Sequence, residues 1–268
     1  NALINLDFNR KGVNSVSYIM GQSLESTISN GIVIGDVSMD ELLGIVEQHV
    51  ANGCKRIKLK VSPRDGYERT RLVRDAYPEL ALAVDANQSY TYDQLDMMAA
   101  YNDLNLLCIE EPFSMTNLTT YKAWKESLPN WPITTSICLD ESILSYDDLS
   151  YAIEYRLIDV LNVKVGRLGG LIQTRAAILR CREAGIPYWI GSMVESGISK
   201  ILHVQLAALG DTYMAGDLSD SSRYFEHDLI NPAILFTDGS MQVPNGAGLG
   251  VDVLDNRIEE YTVEKRTL

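Results

Sequence analysis

From RIKLKV at 56–61 to VLNVKV at 160–165 the chain repeats one pattern, short apolar runs separated by longer stretches of helical period. Between those two runs lie LALAVDA (80–86), LLCIEE (106–111) and SICLDE (136–141). GIVIG (31–35) precedes them, and PYWIGS (187–192) and, less distinctly, TYMAGDLS (212–219) follow, which makes eight candidate strands. The intervening segments include SMDELLGIVEQHVANG, DLSYAIEYRL and GGLIQTRAAILRCREAG; the last ends in Gly185, a helix stop. Repeating strand–helix units imply parallel strands joined by crossovers. Strands that are apolar nearly throughout imply burial on both faces. The expected class is therefore α/β, as a closed (β/α)8 barrel of the TIM type. The 268 residues suffice for one such domain, which needs roughly 250. No GxGxxG follows the first run, which disfavours an open dinucleotide-binding sheet.

The polar residues near the strand ends carry the chemistry. Lys58 and Lys60 sit on the second run, Asp85 ends the third, Glu110 the fourth, Asp140 the fifth and Lys164 the sixth. From Lys60 onward the steps are 25, 25, 30 and 24 residues, about one strand–helix unit each. Successive strands thus deliver one charged group apiece to the C-terminal rim, where barrel enzymes hold their active sites. One buried acid at a strand end reads most simply as a structural acceptor. Five charged groups on consecutive apolar strands do not, because burial without mutual use costs several kcal/mol each.

Three carboxylates make a hard, oxygen-rich site that suits Mg²⁺, with Mn²⁺ as a substitute. Ca²⁺ fits less well without a flexible ligand loop, and Zn²⁺ less still without His or Cys among the acids. Sequence order becomes angular order in a barrel, so Lys60 and Lys164 should face each other across the metal. A bound carboxylate substrate would then have an ammonium on either side of its α-carbon. Removing the α-proton creates an enediolate, and concentrated positive charge stabilises it. Lysine can act as the base only below its ordinary pKa of about 10.4, which neighbouring cations and desolvation favour. Lys58 has the same strand parity as Lys60, so it points inward as an electrostatic or substrate contact.

The rest of the composition is bland. The net charge of −13 argues against nucleic acid or an anionic membrane as partner, though not against a small anionic substrate in a locally positive pocket. No stretch approaches the ~20 apolar residues of a membrane span. Cys54, Cys108, Cys138 and Cys181 form no CxxC pair and read as reduced core residues of a cytoplasmic protein. His49, His203 and His227 read as helix-face or loop residues without a chemical role, and SDSS (219–222) as a solvated loop.

RIKLKVSP, AVDANQSY, CIEEPF, CLDES, NVKVGRLGG and IGSMVESGIS, in this order, resemble the enolase superfamily. Within its muconate-lactonising-enzyme-like branch they are most similar to the o-succinylbenzoate synthase/N-succinylamino acid racemase family. RYFEHDLINP and VPNGAGLGVDV extend the likeness, which covers nearly the whole chain from about residue 12. The resemblance implies Asp85, Glu110 and Asp140 as Mg²⁺ ligands, with Glu111 a neighbour and not a ligand. It implies Lys60 as general acid/base, Lys164 as the second lysine, and Asn87, Ser192 and Met193 near the substrate. The implied reaction is loss of water from a cyclohexadiene carboxylate to give o-succinylbenzoate, a step of menaquinone biosynthesis. Racemisation of N-succinylamino acids by the same two lysines is the alternative; a dipeptide epimerase and a non-catalytic barrel fragment stand further off. The expected partners are a small carboxylate and, as an open alternative, further copies of the chain as a homo-oligomer. The family also implies an α+β capping domain largely missing here. Residues 1–28 resemble its last helix and linker, 29–250 the catalytic barrel, and 251–268 a tail packing toward the cap.

Overall fold

The structure is a computed structural model and describes residues 1–266, so the last two residues of the expected 251–268 tail lie outside it. Two short helices open the chain, α1 (Ala2–Lys11) and α2 (Ser15–Met20). Asn14 caps α2 by accepting the Ser17 amide at 3.0 Å, and Val16 and Met20 bury its inner face. Strand β1 (Thr27–Ser29) follows and turns at once into β2 (Gly31–Ile34), the GIVIG run.

From there the alternation expected from sequence holds. Helix α3 (Met39–Ala51) leads to β3 (Arg56–Lys60), α4 (Gly66–Ala76) to β4 (Leu82–Asp85), and α5 (Leu95–Ala99) to β5 (Ile109–Glu110). Next come α6 (Leu118–Ser127) and β6 (Ile137–Leu139), α7 (Tyr146–Glu154) and β7 (Val160–Val163), then α8 (Leu171–Ala184) and β8 (Tyr188–Ile190). Gly185 does end α8, at φ 67°, a left-handed conformation that costs glycine nothing. Helix α9 (Gly197–Ala207) completes the crossovers; β9 (Ile230–Asn231), β10 (Ser240–Gln242), β11 (Asp252–Val253) and α10 (Asp255–Tyr261) form the C-terminal part. Strands β2 to β8 make one parallel sheet in sequence order, while β1 pairs with β10 and β9 with β11 in two small antiparallel ladders outside it.

The eighth run is the correction. Residues 212–219 form no strand. They still bond to both edges of the sheet: the Tyr213 and Asp217 amides donate to the Tyr188 and Ile190 carbonyls of β8 at 2.7 and 3.2 Å, and Gly216 O accepts from the Gly31 amide of β2 at 2.8 Å. Within this segment the Ala215 carbonyl accepts from the Arg56 guanidinium, at 2.8 and 3.0 Å.

Two apolar cores lie on opposite faces of the sheet. The larger packs outward-facing strand residues such as Ile57, Leu59, Leu82, Val84, Leu139 and Leu161 against the helices. The smaller lies inside the curl, where Ala83, Cys108, Cys138, Val160, Trp189 and Met214 meet. All four cysteines are buried and free.

Candidate active site

Side chains alternate along a strand, so the residues two positions beyond the small inner core also point inward. Beyond Ala83, Cys108, Cys138 and Val160 those residues are Asp85, Glu110, Asp140 and Asn162. On β3 the same parity gives Arg56, Lys58 and Lys60. The structure therefore stacks a charged layer on an apolar one. Trp189 separates them: its ring lies 4.9 Å from Lys58 Nζ and 5.2 Å from Arg56 Cζ, and its Nε1–H donates to Cys138 Sγ at 3.3 Å.

Lys58 is the hub. Its ammonium reaches Glu110 Oε2 and Asp217 Oδ2 at 2.6 Å and Asp85 Oδ2 at 3.2 Å, so all three donors have carboxylate partners. Burial opposes its charge, but Asp217, Glu110 and Asp85 outweigh burial and hold its pKa well above the ordinary value. These contacts favour its charged form. Asp217 is its counterpart: burial raises its carboxyl, yet Arg56 and Lys58 hold it far below the usual carboxylate range. Glu110 is fully buried, and burial pushes its carboxyl well up; Lys58 opposes that, while Asp85 and Asp140 add to it.

The two expected acid/base lysines flank this layer. Lys60, about a third exposed, donates to Asp85 Oδ2 at 2.6 Å and to Asn87 Oδ1 at 2.5 Å. Lys164 pairs with Asp140 Oδ2, and Arg167 takes the other oxygen of the same carboxylate. Lys60, Lys164, Lys58, Asp85, Ser192 and Met193 line one cavity of about 250 Å³. Asn87 reaches the same mouth, its amide donating to Glu141 Oε1 at 2.8 Å. Gly191, beside them, leaves room that a side chain would take, since a Cβ there would stand 2.9 Å from Lys164 Cε.

Asp85 and Glu110 are register partners on β4 and β5, and Asp140 follows the end of β6. Among the described residues, however, no three His, Cys, Asp or Glu side chains converge on one metal position. The physical reason is visible in the pairing: each acid is turned toward an ammonium, a guanidinium or the Asn162 amide, which donates to Glu110 Oε1 at 2.6 Å. Glu111 points elsewhere. Its carboxylate accepts the Asp140 and Ser142 amides at 2.8 and 2.7 Å, the Ser142 hydroxyl at 2.8 Å and the Gln88 amide at 3.0 Å, and so fixes the turn that carries Asp140. Asn87, Gln88 and Glu111 hold positive φ values of 43°, 60° and 42°, strained backbone gathered at this rim.

Sequence reading missed several participants. Arg56 and Asp217 carried a signal, since Arg56 shares the parity of Lys58 and Asp217 lies in the eighth run. Arg167, Arg223 and Tyr224 sit on turns, where no periodicity places them; the latter two line the cavity. One expectation is corrected. The 219–222 stretch is no solvated loop: Ser219 and Ser221 are buried, and the Ser221 hydroxyl bonds Asp228 and the Ile234 amide. His203 is fully buried on α9 and hydrogen-bonds the backbone next to Lys164.

Comparison with known proteins agrees with this architecture. A family model described as "Enolase C-terminal domain-like" matches residues 41–257. The chain is 36% identical over 236 residues to an o-succinylbenzoate synthase of Geobacillus kaustophilus, covering 88% of this chain and 62% of that protein. It is 36% identical over 245 residues to an N-succinylamino acid racemase of Thermus thermophilus, covering 91% and 64%. The chain thus spans a little under two thirds of these curated relatives. Among solved structures, a dipeptide epimerase from Methylococcus capsulatus complexed with Mg ion superposes with a TM-score of 0.78 at 26% identity, over 94% of this chain and 72% of that one. By its sheet, its inward charged layer and this match over most of its length, the chain belongs to the enolase C-terminal domain-like family.

Proposed function

We propose that this chain is the catalytic barrel of an enzyme that abstracts the proton α to a carboxylate, and that its reaction is dehydration to o-succinylbenzoate. One observation carries the reading: Lys60 and Lys164, from strands on opposite sides of the charged layer, open into the same cavity. In this reading residues 212–219 serve as the eighth stave, residues 29–250 are the catalytic unit, and 1–28 and 251–268 are its borders toward a capping domain.

The residues fit a divalent cation. Glu110 is a fully buried carboxylate beside two further acids, and burial together with Asp85 and Asp140 opposes its charge despite the Lys58 ammonium. Asp85, Glu110 and Asp140 would hold Mg²⁺, which when bound supplies positive charge to a substrate carboxylate and to the negative charge developing on it. The lysines then turn from their carboxylate partners toward the substrate. Lys60 as the free amine takes the α-proton; the C–H electron pair passes into the adjacent carbon–carbon bond. Lys60 returns that proton to the departing hydroxyl on the same face, and the C–O bond breaks to release water. Lys164 remains an ammonium on the other face, and Lys58 keeps the layer positive throughout. Asn87 steadies Lys60, while Ser192 and Met193 bound the substrate space.

Racemisation of N-succinylamino acids is the second reading, favoured by the placement of one lysine on each side. There Lys164 gives a proton to the face opposite that from which Lys60 removed one. Assaying the protein with both the cyclohexadiene precursor and N-succinylamino acids tests both readings. Conversion that stops with a chelator and returns with Mg²⁺ is expected; conversion unaffected by chelation rejects the scheme.

A further inference from the structure

Behind Lys164 lies a buried relay that proton abstraction does not use. Strand β7 ends at Val163, so the Val165 amide has no strand partner. It donates instead to His203 Nε2 at 3.0 Å. An imidazole nitrogen that accepts carries no proton, so the neutral ring holds its single proton on Nδ1. Nδ1 stands 3.3 Å from Glu195 Oε1. The same Glu195 oxygen accepts the Met193 amide at 3.0 Å, and the other accepts the Ser199 hydroxyl. Burial lowers the His203 pKa, with Lys164 and Lys200 adding to it, while Glu195 and the Ser199 carbonyl oppose. The ring therefore stays neutral, as its acceptor role demands.

These contacts join two parts of the cavity wall. One is the end of β7, where Lys164 leaves the sheet; the other is the 192–196 turn with Ser192 and Met193. We infer that His203 is a positioning residue for Lys164: through Nε2 it clamps the Val165 amide, while Glu195, which accepts the Met193 amide of the turn that bounds the substrate, stands beside Nδ1 without a hydrogen bond to it. The inference rests on the reading of Lys164 as the second acid/base. A lysine displaced by a loosened backbone would miss its proton-transfer geometry while Lys60, on β3, keeps its own.

Three variants test the Val165 bond. His203→Gln places an amide oxygen near the position of Nε2 and keeps the Val165 bond. His203→Asn keeps a donor near Nδ1 and loses that bond. His203→Leu loses the bond and the polar ring. The first readout needs no substrate: hydrogen exchange of the peptide amides over 164–170 in the folded protein. Protection should drop in His203→Leu and His203→Asn and persist in His203→Gln. The second readout is exchange of the α-proton with solvent deuterium for each enantiomer of an N-succinylamino acid, the faces being assigned with Lys60→Ala and Lys164→Ala. Exchange from the Lys164 face should fall roughly 10- to 100-fold in the Leu and Asn variants, with the Lys60 face nearly unchanged. Unchanged amide protection in His203→Leu overturns the inference, as does equal loss on both faces or equal behaviour of the Asn and Gln variants. If the wild-type protein exchanges neither enantiomer, the functional reading fails, and the amide protection alone decides the role of His203. Should His203→Leu not fold, the Asn and Gln pair gives the same decision.

Discussion

The inside of the sheet has two storeys, and they differ by one step of the strand period. The lower storey, with Trp189, Cys108, Cys138, Val160 and Ala83, is dry and apolar. The upper, with Lys58, Asp85, Glu110, Asp140 and Asn162, is almost wholly ionic and equally buried, each of these side chains being 3% exposed or less. The same strands build both. Apolar side chains can fill the lower storey without conditions, because packing is non-directional. The upper storey is stable only as a set, because each charge needs an opposite charge or a hydrogen bond beside it. A sheet of this kind can thus keep its fold through the lower residues and vary its chemistry in the upper ones.

In the proposed scheme, removing Lys60 has the largest effect on the chemistry above this layer. Lys60→Ala should lower dehydration and racemisation by roughly 10³-fold or more, measured as turnover at saturating Mg²⁺, because proton transfer by a positioned group contributes about 10²–10⁴. Lys164→Ala should abolish racemisation to the same degree and slow dehydration less. Retained turnover in the Lys60 variant would move the base elsewhere.

Trp189→Ala attacks the floor between the storeys. It should cost about 3–5 kcal/mol in denaturant unfolding, the loss of a large buried aromatic. It also removes the ring beneath Lys58 and Arg56, so Mg²⁺ affinity should weaken as well. A stability loss with unchanged Mg²⁺ affinity would show the two storeys to be independent.

Asp217→Asn unbalances the upper storey while keeping its shape. Arg56 and Lys58 each lose an anion, and unfolding should become easier by about 3 kcal/mol, the lower part of the range for breaking a buried pair. A loss within 0.5 kcal/mol, the usual size of a surface change, would mean that Glu110 and Asp85 suffice for Lys58.

The smallest effect is a pH slope. The folded His203 pKa lies below its unfolded value of about 6.5, so its contribution is complete above that pH. As pH falls below about 6.5, the unfolded chain takes up a proton that the folded one refuses, and stability declines by up to about 1.4 kcal/mol per pH unit. His49, lowered by burial and by Arg223, adds in the same direction. His203→Gln should flatten the slope by the share of one histidine; an identical slope would deny that His203 is buried and neutral.

Much of this was legible in the one-dimensional pattern. Spacings near 25 residues between Lys60, Asp85, Glu110, Asp140 and Lys164 reflect the length of a strand–helix unit, and strand parity points all five inward. Parity is a local property of the backbone, so it pointed these side chains to one face of the sheet, and seven of the eight runs read from sequence are strands of that sheet. What tertiary structure alone decided is where chain segments distant in sequence meet. Residues 212–219 bond to both sheet edges without forming a strand, and their Ala215 carbonyl meets Arg56, 159 residues earlier in the chain. The buried state of Ser219 and Ser221 came from Asp228 and Ile234 across a loop. His203 has no distinguishing neighbours on its helix; only the packing of α9 under the end of β7 sets its imidazole 3.0 Å from the Val165 amide. Hydrophobic period reports which face a residue presents, whereas hydrogen bonds and ion pairs depend on the ångström-scale positions of partners far along the chain, and those exist only once the sheet and its helices have assembled.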